Sequence, residues 1–235
     1  MQPILLLSVA AILVSPTMTL GVHGPIISPN PRLSFTASCG PDIWHSEPWM
    51  CEFTAKTLWP SLIFFRWDFD NDGEWDTGSS ASGHWTSEVP VRHAYHQEGL
   101  LFVCVQAWDG FTSKWEGGTY VPIGPVLCHA LVLSSELILY PNAWDRGSTG
   151  RVTLTWDLPL DFTPKTPRAQ DVTVNGVHAT AGLVFRGPPG EPILAYFYVD
   201  RVALSAGLSP GTYDAMLRGT WDDAWFFAHG EFTIR

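Results

Sequence analysis

Lysine is scarce in this chain: three residues, against ten arginines, with no run of basic residues anywhere. Phosphate backbones are held by clustered cations, and the formal net charge is −10, so nucleic acid is excluded as a partner. Several chemical signatures are also missing. There is no Gly-x-Ser-x-Gly, no His-Glu-x-x-His and no phosphate-binding glycine loop, and no residue stands out as catalytic. No Cys-x-x-Cys pair occurs, which removes the commonest zinc spacing. No segment sustains an apolar period of 3.6 residues, so almost no helix is expected beyond the N-terminal run. After that run no second long apolar stretch follows, and the processed chain is expected to lack a transmembrane span.

What is present points to strands. Glycine (21) and proline (19) are abundant among the 235 residues, as a fold with many turns requires. Ile4 to Val14 is apolar except for Ser8, and small residues follow from Ser15 to Gly24. This reads as a signal peptide over 1–24, with a buried first strand as the alternative, and implies a secreted or cell-surface protein. From Pro29 onward, period-two alternation recurs between turn signals. Leu33, Phe35, Ala37 and Cys39 share one face, and Cys51, Phe53 and Ala55 share the next. A third strand runs from Leu62 to Phe69, and Leu101, Val103, Val105 and Ala107 line a later one. A second set covers Glu136–Tyr140, Arg151–Leu158, Asp171–Val174, Ile193–Val199, Thr212–Arg218 and Glu231–Ile234, with Asn175-Gly176 as a hairpin turn. The expected class is all-β: two Ig-like antiparallel β-sandwich domains in tandem, over 25–124 and 136–235, joined by a linker over 125–135.

The densest chemistry lies in Asp68-Phe-Asp70-Asn-Asp72-Gly73-Glu74-Trp-Asp76. Alternate carboxylates before a glycine can curl around one hard cation, so Asp68, Asp70, Asp72, Glu74 and Asp76 are candidate calcium ligands. The motif is no EF-hand, because its twelfth position is Ser79 and a strand precedes it. The bland alternative is a turn shaped by Asx hydrogen bonds alone. His93, His96 and Glu98 have a spacing seen at transition-metal sites, but that spacing is too common to carry a site by itself.

Four cysteines, Cys39, Cys51, Cys104 and Cys128, suit two disulfides in an exported chain and allow three pairings. Strand parity separates them. Cys39 and Cys51 fall on inward faces of neighbouring strands, whereas Cys104 is out of phase with Leu101, Val103 and Val105. That favours Cys39–Cys51 with Cys104–Cys128 over a bridge from Cys51 to Cys104 through the core.

Two segments of the first half resemble a known family. Arg66-Trp67-Asp68-Phe69-Asp70-Asn71-Asp72-Gly73 is similar to the Trp-Asp-Phe-Gly-Asp-Gly element of PKD (polycystic-kidney-disease-type) domains. His93-Ala94-Tyr95, followed by Gly99 to Gly110, is similar to the family's His-x-Tyr and Gly-x-Tyr-x-Val-x-Leu-x-Val-x-Asp pattern. Leu101 and Ala107 replace the usual Tyr and Val. The resemblance covers roughly 27–122. It implies an Ig-like sandwich used outside cells for adhesion or spacing, in which the first Asp of the acidic element bonds the turn that follows it. The second half, through Tyr198-Val199-Asp200-Arg201 and Gly219-Thr220-Trp221-Asp222, looks like an uncharacterised Ig-like module of microbial secreted proteins. The function expected is therefore non-catalytic: adhesion, assembly or spacing through extracellular protein or glycan contacts, with calcium as a possible stabiliser. The first alternative is a carbohydrate-binding accessory protein, which needs exposed, coplanar Trp rings; among the twelve tryptophans, Trp75, Trp85 and Trp115 fall in polar or Gly-rich loops. The second is a small hydrolase, which needs a cleft with paired carboxylates.

Overall fold

The computed structural model describes residues 33–41, 49–58, 63–78, 83–117, 119–166, 168–186 and 193–235. The expected signal segment lies outside them. The first half supplies β1 (Leu33–Gly40), β2 (Trp49–Thr57), β3 (Phe64–Asp68), β4 (Val91–Tyr95), β5 (Gly99–Trp108), β6 (Ser113–Glu116) and β7 (Thr119–Pro122). Then come β8 (Val126–Ser134), β9 (Leu137–Tyr140), β10 (Ala143–Trp144), β11 (Arg151–Leu158), β12 (Gln170–Val174), β13 (Val177–His178) and β14 (Thr180–Arg186). The chain ends with β15 (Ile193–Asp200), the short α1 (Arg201–Leu204), β16 (Gly211–Trp221) and β17 (Ala224–Ile234). The fold is all-β, as the alternation requires.

A single large sheet organises the rest. Its strand order is β13-β12-β16-β17-β8-β5-β3, with β10 beside β17. A three-stranded sheet, β1-β2-β4, and a four-stranded sheet, β14-β15-β11-β9, complete two cores. One core gathers Phe35, Phe53, Trp67, Val103 and Leu131 beneath the three-stranded sheet. The other gathers Val132, Trp156, Phe197, Trp221 and Phe226 beneath the four-stranded sheet. Along β8, Leu131 and Leu133 belong to the first core, whereas Ala130 and Val132 belong to the second. Successive side chains of a strand point to opposite faces, so the two cores lie on opposite faces of the shared sheet.

This corrects the reading of 125–135 as a linker. Residues 126–134 are strand β8, paired antiparallel with β5 on one side and parallel with β17 on the other. Both faces of β8 are buried, so Ala130-Leu131-Val132-Leu133 reads as an unbroken apolar run without alternation. The two expected sandwiches thus share their middle layer.

The cross-strand bridges are those that parity favours. Cys39 and Cys51 face each other across β1 and β2, and Cys104 and Cys128 across β5 and β8, each with Cα atoms 4.1 Å apart. That distance marks non-hydrogen-bonded antiparallel pairs. Trp221, Trp225, Phe226 and Phe227 lie in one hairpin, β16–β17, and divide between the cores: Trp221 and Phe226 in the second, Phe227 in the first with Trp225 against it.

Candidate metal centre

Strand β3 delivers Asp68 to the end of the first core, immediately after the fully buried Trp67. The chain then turns through Asn71 and Gly73, both with positive φ (59° and 90°). Nothing lies within 4 Å of the position a Gly73 Cβ would take, so it is this backbone angle that asks for glycine. The turn is built on carboxylates. Gly73 N–H donates to Asp68 Oδ2 (3.1 Å), Asp72 N–H to Asp70 Oδ1 (3.2 Å), Glu74 N–H to Asp72 Oδ1 (2.7 Å) and Phe69 N–H to Asp76 Oδ2 (2.7 Å). The returning segment is fixed by Asp76 N–H to the Trp67 carbonyl (2.7 Å) and Trp67 N–H to Thr77 Oγ1 (3.0 Å). Tyr95 Oη, from β4, donates to the Phe69 carbonyl (3.0 Å) and pins the turn to the three-stranded sheet.

Three of the five expected ligands converge. Asp68, Asp70 and Asp76 each place a carboxylate oxygen within 4.8 Å of the other two. Ligands on opposite sides of a calcium ion, each at about 2.4 Å, stand about 4.8 Å apart, so the spacing suits one such ion. Asp72 and Glu74 do not join this group; both are exposed, and Asp72 is spent on the Glu74 amide. Asp68 is only 5% exposed, and its Oδ1 is buried with no hydrogen-bond partner. An anionic oxygen left so is costly unless a cation or proton meets it. Burial raises the pKa of the Asp68 carboxyl, opposed by the backbone N–H groups of Gly73 and Asn71 and reinforced by Asp70 and Asp76.

His93 is committed elsewhere: its ring stacks on Phe69 with centroids 4.2 Å apart and meets Tyr95 edge-on. Glu98 accepts from Trp49 Nε1 (3.4 Å) and Ser135 N–H (2.9 Å). Neither they nor His96 enter a group of metal-capable side chains among the described residues.

Two other features bear on the alternatives. The Arg66 guanidinium lies between the Trp75 and Trp85 rings, 4.3 and 4.5 Å from their centroids, and donates from Nε and Nη2 to Gln106 Oε1. Trp85 is buried, and Trp115, 64% exposed, meets Tyr120 edge-on at 71°. A cleft of about 560 Å³ lies where β5 begins and β8 and β11 end, lined by Glu98, Glu136, Asp157 and Asp161. Sequence reasoning did not find it, because its acidic residues come from distant segments. Asp161 Oδ2 there accepts from Leu100 N–H (3.3 Å).

No family model matches this chain. No curated protein matches it either. Among solved structures, it is similar to a protein of unknown function from Porphyromonas gingivalis W83, at 12% identity, TM-score 0.20, covering 85% of this chain and 100% of that one. It is also similar to the N-terminal periplasmic domain of ScsB from Proteus mirabilis, at 11% identity, TM-score 0.20, covering 89% and 97%.

Proposed function

We propose that this is an exported, PKD-like, non-catalytic contact module, serving adhesion, assembly or spacing, whose acidic turn is rigidified by calcium. The observation that carries the calcium reading is the buried, unpartnered Oδ1 of Asp68 beside Asp70 and Asp76. Two closed disulfides and no free cysteine favour an oxidising compartment. Among the described residues no helix is long and apolar enough to cross a membrane.

The rival readings have weaker support. A sugar platform wants coplanar exposed rings, and here Trp75 is capped by Arg66 while Trp115 and Tyr120 stand at a steep angle. A glycosidase acid must be held protonated, usually by burial. Glu98, Glu136 and Asp161 are exposed, and Glu98 and Asp161 each bond a backbone amide.

The test is a thermal melt in EDTA and then in millimolar calcium. Wild type should gain several degrees with calcium, and an Asp70→Ala/Asp76→Ala variant should gain none. No gain in wild type would sink the calcium reading. Retention on insoluble polysaccharide, lost in Trp115→Ala, would instead move the protein to the carbohydrate-binding class.

A further inference from the structure

Strand β1 is the outer strand of the three-stranded sheet, and among the described residues its other edge carries no strand. Cys39 and Cys51 form a non-hydrogen-bonded pair, and the register runs without a shift from Leu33↔Thr57 to Gly40↔Met50. Residues in such pairs turn their N–H and C=O away from the partner strand. The backbone groups of Leu33, Phe35, Ala37 and Cys39 therefore point outward along the free edge. Among the described residues no backbone group bonds them there.

Natural sheets protect their edges with short strands, prolines, bulges or charges. The other edge strands described in the three larger sheets follow that rule. β13 has two residues; β9 has four and ends before Pro141; β4 follows Pro90 and carries Arg92, paired with Glu52. β14 has a register shift between Ala181 and Val184, and β3 is bridged through Phe65 to Thr86. β1 has none of these devices. It is eight residues long, regular, and wholly uncharged, with Ser34, Thr36 and Ser38 on its outer face.

Beneath this edge the large sheet continues through β16, β12 and β13, past the last strand of the sheet that covers it. The result is a shelf whose upper face carries Met216, Arg218 and Trp225. Two small cavities lie between edge and shelf. One, of about 200 Å³, is lined by Ala37, Trp225, Phe227 and Gly219, with Asp171 and Arg218 as its charged residues. The other, of about 300 Å³, is lined by Cys39, Met216, Gly176 and Arg218, and Arg218 is its only charged residue. Ala37 and Cys39 are two positions apart, so an added strand would aim alternate side chains into the two cavities.

The shelf also decides what fits. A second copy paired antiparallel through β1 would be related by an axis perpendicular to the sheet. Its own large sheet would then occupy the same side and collide with β16 and β12. The residues just before β1 include Pro25, Pro29 and Pro31, which lack the N–H donors a paired strand supplies. Arg218 gives Nε to Thr173 Oγ1 (3.2 Å) and no described ion pair holds it, which favours an acidic side chain in the second cavity.

We infer that the β1 edge is a docking site for an extended peptide segment of another protein. The segment adds a fourth strand and seats an aliphatic and an acidic residue, two positions apart, over the Trp225 cavity and beside Arg218. The inference deepens the contact-module reading and rests on it.

The probe is a labelled peptide of about nine residues, alternating threonine and valine with one central valine replaced by aspartate. Fluorescence anisotropy should show saturable binding, weakened about tenfold or more by Arg218→Glu and regained when lysine replaces the aspartate. Ala37→Pro should also abolish it, since that N–H points outward and its loss spares the β1–β2 bonds. Unchanged melting and a closed Cys39–Cys51 bridge would show that this variant folds. Amide exchange at Phe35, Ala37 and Cys39 should be fast in the free protein and slow with peptide. Absence of binding, or binding indifferent to both variants, overturns the inference. So does slow exchange at those amides in the free protein that becomes fast when residues 1–32 are removed, because the chain's own N-terminal segment would then be the occupant. These failures leave the calcium melt unaffected, so the surface and the wider reading fall separately.

Discussion

Leu131 and Val132 are adjacent in sequence, both fully buried, and belong to different cores. Strand β8 therefore couples the two halves through one backbone. Residues 25–124 alone would leave β5 without its β8 ladder, and residues 136–235 alone would leave an edge of β17 bare. Neither half should fold alone: each should give a collapsed amide spectrum, while the intact chain melts in one transition. A dispersed spectrum from either half would refute the coupling. Leu131→Ala should cost about 2–5 kcal/mol and lower the single midpoint.

How far the sequence discloses this arrangement depends on which faces are buried. β11 coincides with the expected Arg151–Leu158, because one face packs on a core and the other does not, which leaves clean alternation. β8 escapes the same test because both its faces pack. The disulfide pairing is legible from parity, since a cross-strand bridge needs both cysteines on one face. The acidic turn is legible as a cluster, but its division is not. Asn71 and Gly73, at positive φ, swing Asp76 back against Asp68 and leave Asp72 and Glu74 outside. Nor is the free β1 edge legible, because the order of strands in a sheet is set by long-range packing.

Asp68 offers a substitution whose sign depends on the ion. Without calcium, Asp68→Asn removes a buried charge facing Asp70 and Asp76, and the melting point should stay level or rise. With millimolar calcium, wild type should overtake it, because the variant lacks an anionic ligand. Asp76→Ala should instead lower stability already without calcium, by about 0.5–2 kcal/mol, since Phe69 N–H loses its acceptor, and further with calcium, since a ligand is lost as well. Melts of the two variants with and without calcium distinguish a metal ligand from a turn-builder. Parallel curves for Asp68→Asn and wild type would refute the assignment.

Acid should loosen the first core before it reaches the carboxylates. Burial lowers the pKa of His93, against the pull of Asp76 and Asp70, and lowers that of His129, against the Asp223 carbonyl and carboxylate. A depressed folded value means that the unfolded chain takes the proton first. The stabilising contribution is present above the unfolded value of about 6.5 and is lost as pH falls through the folded value. Asp68 acts with the opposite sign. Its raised pKa gives a contribution present below the ordinary value of 3.8 and lost as pH rises through the folded one. Urea midpoints measured from about pH 8 to about pH 5 should therefore decline. A His93→Phe/His129→Phe variant should show a flatter profile over that range, and an unchanged slope would refute the cause.

Gly230 of β17 lies against the backbone of Leu137 in β9. A Cβ added there would press on the Leu137 carbonyl oxygen and lie 3.1 Å from its carbon, both of them backbone atoms. Backbone on both sides leaves little to move, unlike at Gly73, where the space is open. Gly230→Ala should therefore cost about 1–3 kcal/mol despite the gain that alanine brings over glycine in a strand. The strain falls between the shared sheet and the four-stranded sheet, so amides of Leu137 and Leu139 should exchange faster while those of β2 keep their rates. Equal acceleration in both places would show that the molecule responds as one rigid body rather than locally. An unaffected melting point would show that β9 can retreat from β17, and that the close approach is not required for packing the second core.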